Sequence, residues 1–412
     1  MIRKLKKIFH KTLLSKILSI GSRTIWSFFT IFLTSISLIL LNEEDLALFS
    51  LILSIVALPL AFTDSLFGVS NTLKKNRENY DNKNIVINLK KLSLVSALSF
   101  IFISFLLISL STRNSIYLLI LVYSLYFAFA YRDYFIRISL VNNTYFIIAK
   151  AGIIGIFLLI VFLVLNFLLS ISITVYECII LSSFITVMVV VVSSIKNENI
   201  VKIDFNSRIS FSKNDLLLLL DNLFNWLRSQ SSLVVAAIFF EPKVIASIFA
   251  SRILISPLLI LIPIISSLIL PKFAANKSTF NNNLALRVCL WCGLISAIYA
   301  IIVLSQFDLI VLIFNQFDLA SIKNYLNFWL IGGLLYLISP VLSTLYIGEM
   351  NMVMKNWINF ISAVSCIVVM VYFGITSNSP NILLGLLVGE TLYIFMLVIS
   401  RFWNDDNDFS RT

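Results

Sequence analysis

Four polar residues share one face of an apolar segment near the middle of the chain. Asp221, Asn225, Arg228 and Ser232 lie within 216–240, a segment otherwise dominated by Leu, Ile, Phe and Val. At 3.6 residues per turn their spacing forms a single helical stripe about 16 Å long. A carboxylate, an amide, a guanidinium and a hydroxyl in one row can hold a charged, polar ligand. We therefore treat Asp221, Asn225 and Arg228 as candidate substrate-binding residues.

A second stripe with the same spacing lies near the start of the chain. A shift of 198 residues places the first stripe on Arg23, Ser27, Thr30 and Thr34. The correspondence predicts an internal repeat, in which the two stripes line a shared central cavity.

Three arginines lie inside apolar segments, where a charge at mid-bilayer costs about 2.5 to 3.5 kcal/mol and tends to face a cavity or a partner. They are Arg23, Arg228 and Arg252. The carboxylates inside apolar segments are Asp64, Asp221 and Glu390. One interpretation is that these groups form internal ion pairs. The other is a cationic cavity wall for an anionic substrate, since the planar fork of Arg suits phosphate. Asp64 and Glu390 are in addition candidate ion-coupling residues.

The end of the fourth apolar segment, YSLYFAFAYRDYFIR (123–137), combines tyrosines with basic residues. Arg132 and Tyr134 are candidates for binding phosphate and stacking on a sugar ring. The alternative interpretation is an interfacial tyrosine belt with arginines that extend to the membrane surface.

Composition identifies the elements that position these residues. Of the 412 residues, 59% are hydrophobic and 12% are charged, against roughly 25% charged in a soluble domain. Successive apolar windows are long enough to cross a bilayer as helices. The twelve predicted spans are 17–41, 46–72, 92–111, 115–131, 146–168, 171–194, 216–240, 244–270, 285–306, 324–348, 353–375 and 380–400.

The net charge of +11 reflects membrane topology and does not indicate nucleic-acid binding. Most of the 31 Lys and Arg residues fall on one side of the predicted spans, so the positive-inside rule places both termini in the cytoplasm. The polar segment 196–215 is a cytoplasmic linker between two six-helix bundles, 1–200 and 201–412. We predict an all-α membrane protein whose bundles are related by a pseudo-two-fold axis along the membrane normal.

Proline and glycine positions predict details of two spans. Pro257, Pro263 and Pro271 predict a bent eighth span. Gly385 and Gly389, in a GxxxG spacing, predict close helix contact in the twelfth.

No pattern predicts a metal site, a cofactor or an ATPase. His10 is the single histidine, no GxxxxGK[ST] loop occurs, and Cys289 and Cys292 are interpreted as core residues of an apolar span.

Several segments resemble a known family. They are NEEDLALFSLILSIVALPLAFTDSLFG (42–68), DYFIR (133–137) and ASRILISPLLILIPIISSLILPKF (250–273). With twelve spans in two halves, the sequence resembles the Wzx-type O-antigen flippases. These are polysaccharide transporters of the multidrug/oligosaccharidyl-lipid/polysaccharide exporter superfamily. The resemblance covers nearly the whole chain.

The resemblance implies a transporter and not an enzyme. Its substrate would be an undecaprenyl-diphosphate-linked oligosaccharide, moved across the bacterial inner membrane for lipopolysaccharide biosynthesis. Alternating access would proceed through a cationic cavity, with Arg23, Arg228 and Arg252 on its wall and Lys150 and Lys355 near the inner mouth. The implied partners are membrane lipids, a polysaccharide polymerase and chain-length machinery.

Three alternatives stay open at this point. A cation-coupled drug or metabolite antiporter of the same superfamily would favour an acidic cavity. A membrane-embedded polysaccharide polymerase or ligase would need a long periplasmic loop, whereas the longest predicted outer segment is 307–323. A lipid II flippase would be expected to have fourteen spans.

Overall fold

A computed structural model describes most of the chain. The described residues are 21, 24–64, 85–110, 116–141, 145–169, 172–194, 201–204, 213–275, 278–307, 319–348, 351–377 and 379–409.

The first part of the chain contains six helices and two short strands among these residues. In order they are α1 (Thr24–Leu40), α2 (Glu43–Asp64), β1 (Ile85–Asn88), α3 (Leu89–Leu110), α4 (Ile116–Val141), α5 (Tyr145–Leu169), α6 (Val175–Ser194) and β2 (Val201–Asp204).

The rest of the described chain is helical. The elements are α7 (Lys213–Ser229), α8 (Ser231–Phe239), α9 (Pro242–Leu259), α10 (Leu261–Ala275), α11 (Ser278–Ser305), α12 (Leu319–Gly348), α13 (Met352–Ile375), a 3₁₀ helix (Ser379–Leu383) and α14 (Leu384–Phe409).

These helices confirm the predicted fold class, because each of the twelve predicted spans coincides with one helix or with two consecutive helices. Among the described residues, eight helical segments are long and apolar enough to cross a membrane by length and composition. Three shorter apolar helices, Thr24–Leu40, Leu94–Leu107 and Val175–Val191, lie at other predicted spans.

Two predicted spans are divided. The seventh span consists of two helices, because Gln230 (φ −112°, ψ −15°) separates α7 from α8. The eighth span is divided at Ile260, between α9 and α10, where the backbone keeps helical dihedral angles (φ −58°, ψ −33°); the predicted bend stays a prediction. Pro263 has no N–H to donate to the carbonyl of Leu259, which weakens the helix at that point.

Strands β1 and β2 were not predicted. They pair in parallel, with Ile85 opposite Val201 and Asn88 opposite Asp204. Both strands lie in polar segments that the topology prediction places on the cytoplasmic side. They add a two-stranded sheet to an otherwise helical chain.

The described helices form two compact units. One contains α1, most of α3, α4 to α6 and the two strands, and the other contains α2 and α7 to α14. Helix α2 therefore groups with the second unit, whereas the division into 1–200 and 201–412 assigns it to the first half. That division stays a prediction.

In the first unit, α1 packs closely on α5. The indole Nε1 of Trp26 donates to the carbonyl of Ile148 at 2.9 Å. A Cβ added at Gly152 would lie 2.6 Å from Ile25 Cγ2, and one at Gly155 would lie 2.8 Å from Phe29 Cδ2. The two glycines therefore permit this close helix contact.

In the second unit, tryptophans join neighbouring helices through carbonyl groups. Trp226 Nε1 on α7 donates to the carbonyl of Ser54 on α2 at 2.7 Å. Trp329 Nε1 on α12 donates to the carbonyl of Ile248 on α9 at 3.2 Å. Both rings are almost fully buried, so these bonds fix the helices that carry the candidate site.

Candidate functional site

Arg228, near the end of α7, lies in a dense polar environment within the second unit. Its side chain is 3% exposed. The guanidinium Nε donates to Glu390 Oε1 on α14 at 2.5 Å. Nη1 donates to Asn359 Oδ1 on α13, and Nη2 donates to Asn225 Oδ1 at 3.0 Å. The guanidinium also lies 3.7 Å from the ring centre of Tyr393. Arg228 is thus neutralised by a carboxylate in this conformation.

A second buried ion pair lies beside it. Lys355 on α13 is 1% exposed, and its Nζ donates to Asp221 Oδ1 on α7. Asn359 Nδ2 donates to the carbonyl oxygen and to Oδ1 of Asp221, both at 3.1 Å. Because Asn359 also accepts from Arg228, its amide connects the two ion pairs. Internal pairing, one of the two interpretations from the sequence, is confirmed for these residues, with Lys355 and Glu390 as the partners.

Two glycines on α14 allow this helix to pack closely against α13 beside the ion pairs. A Cβ at Gly385 would lie 2.6 Å from the Cys366 carbonyl oxygen, and one at Gly389 would lie 2.7 Å from Cys366 Cβ and 3.3 Å from Arg228 Cγ. This close contact of α14 with α13 confirms the prediction from the GxxxG spacing. It places Glu390, the next residue after Gly389, beside the Arg228 guanidinium.

Arg252 on α9 differs from Arg228. Its Nη1 donates to Gln230 Oε1 at 2.7 Å, and its guanidinium lies 5.4 Å from the ring centre of Trp329. Within the described part of the chain, no carboxylate lies within ion-pair distance of it. Arg252 therefore contributes one uncompensated positive charge to a cluster in which Arg228 and Lys355 are both neutralised.

Two polar atoms near these groups are buried without a hydrogen-bond partner among the described residues. They are Glu390 Oε2 and the hydroxyl of Tyr336 on α12. Tyr336 is close enough for electrostatic interaction with Glu390, Arg252 and Arg228. Its ring stacks on Trp329, with ring centres 6.5 Å apart. An unsatisfied buried polar group is costly, so both atoms mark a place where a ligand can bond.

Other predicted site residues lie elsewhere. In the first unit, Arg132 pairs with Asp133 at 2.8 Å and donates from Nη1 to Thr30 Oγ1 at 3.2 Å. Thr30 belongs to the stripe predicted on the first span. Lys150 is exposed on α5, whereas Asn225, although exposed on α7, belongs to the Arg228 cluster as an acceptor. Arg23 and the side chains of Asp64 and Tyr134 lie outside the described residues.

The sequence prediction missed the residues that complete the cluster. They are Gln230, Trp329, Tyr336, Asn359 and Tyr393. One signal was available, because Lys355, Asn359, Ser362 and Cys366 repeat the spacing of the stripe on α7. Two such polar stripes on different helices are expected to face each other.

No metal site is apparent in the part of the chain that the structure covers. No group of three or more His, Cys, Asp and Glu side chains there is arranged to hold an ion.

Solved structures of membrane transporters share this helical architecture. No family model and no curated protein match the chain. The eukaryotic MATE transporter AtDTX14 matches with 14% identity and a TM-score of 0.65, over 95% of each chain. An outward-facing multidrug resistance MATE family transporter of the MOP superfamily matches with 15% identity and a TM-score of 0.64, over 97% of each chain.

A flippase has a similar structure. The lipid II flippase MurJ, in an inward closed conformation, matches with 16% identity and a TM-score of 0.52, over 94% of this chain and 86% of MurJ. At these identities the likeness establishes the fold. This chain is a multi-pass membrane protein with the helical fold of the MATE transporters and of MurJ.

Proposed function

We propose that this protein is a flippase for a lipid-linked oligosaccharide. Its substrate is an undecaprenyl-diphosphate-linked repeat unit of O-antigen, which it moves between the leaflets of the bacterial inner membrane by alternating access. The observation that carries the proposal is the uncompensated charge of Arg252 inside a transporter fold. A partly buried guanidinium without a carboxylate attracts an anionic ligand, and a diphosphate can accept its paired hydrogen bonds.

The surroundings of Arg252 suit such a ligand. Tyr336 offers a hydroxyl without a partner, and Gln230 and Trp329 hold the guanidinium in place. The likeness to the lipid II flippase MurJ shows that this fold can carry a flippase.

The further substrate-binding residues in this proposal are the polar residues identified from the sequence. They are Arg23, Arg132, Tyr134, Lys150, Asp221, Asn225, Arg228 and Lys355. Asp64 and Glu390 are the proposed ion-coupling residues. Both termini lie in the cytoplasm, and the protein works beside a polysaccharide polymerase and chain-length machinery during lipopolysaccharide biosynthesis.

Reconstitution of the full chain tests the substrate class. Vesicles would contain a fluorescent prenyl-diphosphate oligosaccharide in both leaflets, and dithionite would quench the label that is accessible from outside. A flippase exposes the inner-leaflet pool, so we expect quenching to proceed beyond the outer-leaflet fraction. Quenching that stops at the fraction seen in protein-free vesicles would contradict the proposal.

A drug or metabolite antiporter is the second candidate. It is favoured by two MATE transporters that match with higher TM-scores than MurJ does. An organic cation would need an available carboxylate, and within the described cluster Glu390 and Asp221 are both paired with cations. Efflux of a cationic dye from the same vesicles, driven by a pH gradient, would favour this candidate over the flippase.

A further inference from the structure

Arg228 is buried and Arg252 is partly buried, and only one carboxylate among the described residues, Glu390, pairs with either of them. Arg252 donates to Gln230, which follows Arg228 by two residues, and the side chain of Tyr336 lies near both guanidinium groups. Glu390 pairs with Arg228 alone. With Lys355 and Asp221 neutralising each other, this cluster of described residues holds three cations and two anions.

The environment of Glu390 offers a second position for its carboxylate. Oε1 is bonded to Arg228, whereas Oε2 has no hydrogen-bond partner among the described residues. The Tyr336 hydroxyl, equally without a partner there, interacts electrostatically with Glu390, Arg228 and Arg252. A hydroxyl near a carboxylate and two guanidinium groups can donate to the carboxylate as it moves from one to the other.

We propose that Glu390 is a shared counterion that exchanges places with the anionic group of the substrate. The proposal rests on the flippase function given above. In the conformation described here, the Glu390 carboxylate pairs with Arg228, and the substrate diphosphate binds at Arg252. In the alternative conformation, Glu390 pairs with Arg252, with help from Tyr336, and the diphosphate has passed to Arg228.

While the substrate is bound, charge stays balanced in both conformations, because each arginine then has one anionic partner. This matters in a buried site, where an uncompensated charge is strongly unfavourable. The exchange gives the substrate two successive binding positions, so it can leave the first without losing its counter-charge. Glu390 thereby acts as an internal competitor that prevents the diphosphate from occupying both arginines at once.

The packing favours a movement of the Glu390 side chain over a movement of its helix. Gly385 and Gly389 hold α14 against α13, with the added Cβ positions already too close to Cys366. Arg228 is held by Asn359 and Asn225 as well as by Glu390, so its guanidinium keeps its position when the carboxylate leaves.

Binding of inorganic pyrophosphate to the purified full chain tests the exchange, measured by isothermal titration calorimetry in detergent. Arg252→Gln should abolish binding. Arg228→Gln should weaken it about tenfold, because the released Glu390 then neutralises Arg252. The double variant Arg228→Gln/Glu390→Gln should restore binding to nearly the wild-type level, since nothing competes for Arg252.

Glu390→Gln alone should bind pyrophosphate about tenfold more tightly, because both arginines are then free, and it should lose flipping. Glu241→Gln, which changes an exposed carboxylate, is the matched control and should leave binding unchanged. The double variant has no unpaired buried carboxylate, so it also separates an effect on binding from a failure to fold.

Several results would overturn the exchange. A double variant as weak as Arg228→Gln would show that Arg228 is itself the pyrophosphate ligand in this conformation. Unchanged binding in Arg228→Gln, or absence of pyrophosphate binding to the wild type, would equally refute it. If the binding series follows the expectation while the lipid-linked oligosaccharide is not flipped, the proposed function fails and the exchange of anions between the arginines stands.

Discussion

Replacing Lys355 with methionine removes the ammonium group from the buried Asp221 carboxylate and keeps a side chain of similar length. Lys355 is 1% exposed and Asp221 is 7% exposed, so water cannot replace the lost partner. Breaking a buried ion pair from one side costs about 3 to 5 kcal/mol. The bond from Asn359 Nδ2 to Asp221 Oδ1 at 3.1 Å remains and offsets part of the loss. We therefore expect a decrease of about 3 kcal/mol in the free energy of unfolding.

Unfolding in mixed micelles at increasing SDS fraction, followed by tryptophan fluorescence, measures this decrease. Lys243→Met, at an exposed lysine on α9, should change stability by less than about 0.5 kcal/mol. Lys355→Met/Asp221→Asn removes both charges and should recover most of the loss. A double variant as unstable as Lys355→Met, or no loss in Lys355→Met, would refute the ion-pair reasoning.

Two further predictions concern helix contacts, and the same unfolding measurement checks both. Gly385→Ala should destabilise the protein by about 1 to 3 kcal/mol, because its Cβ would lie 2.6 Å from a backbone oxygen. Gly293→Ala should not destabilise the protein, because the nearest atom to its added Cβ, Leu334 Cδ1, would be 4.0 Å away. An equal loss of stability in the two variants would contradict the account. Trp226→Phe should cost about 1 to 3 kcal/mol by leaving the Ser54 carbonyl without the indole donor. The exposed Trp291→Phe should cost little, and equal effects of the two changes would count against the bond.

Local patterns predicted the helices and much of the polar cluster. Apolar windows gave the twelve spans, and the GxxxG spacing identified a real helix contact. The stripe on α7 correctly placed Asp221 and Arg228 on one polar face. Periodicity could not reveal which helix covers that face, because the partners Lys355 and Glu390 are more than 130 residues away.

Other features had weaker signals or none. Pro263 indicates the division between α9 and α10, whereas neither glycine nor proline indicates the one at Gln230. The parallel pairing of β1 with β2 joins short segments far apart in the chain, which no local pattern specifies. Arg228 and Arg252 looked equivalent in the sequence. They differ in the structure because Glu390, on a distant helix, pairs with only one of them.

The central claim is that Arg252 presents a partly buried, unpaired positive charge to an anionic lipid. Its most direct test is the initial rate of prenyl-diphosphate oligosaccharide flipping in vesicles for the wild type, Arg252→Gln and Arg252→Lys. Because Lys keeps the charge but lacks the planar fork, we expect Arg252→Lys to retain part of the activity and Arg252→Gln to lose at least nine-tenths of it, an effect on the order of one charged hydrogen bond. Equal rates for wild type and Arg252→Gln, at equal amounts of folded protein, would contradict the account.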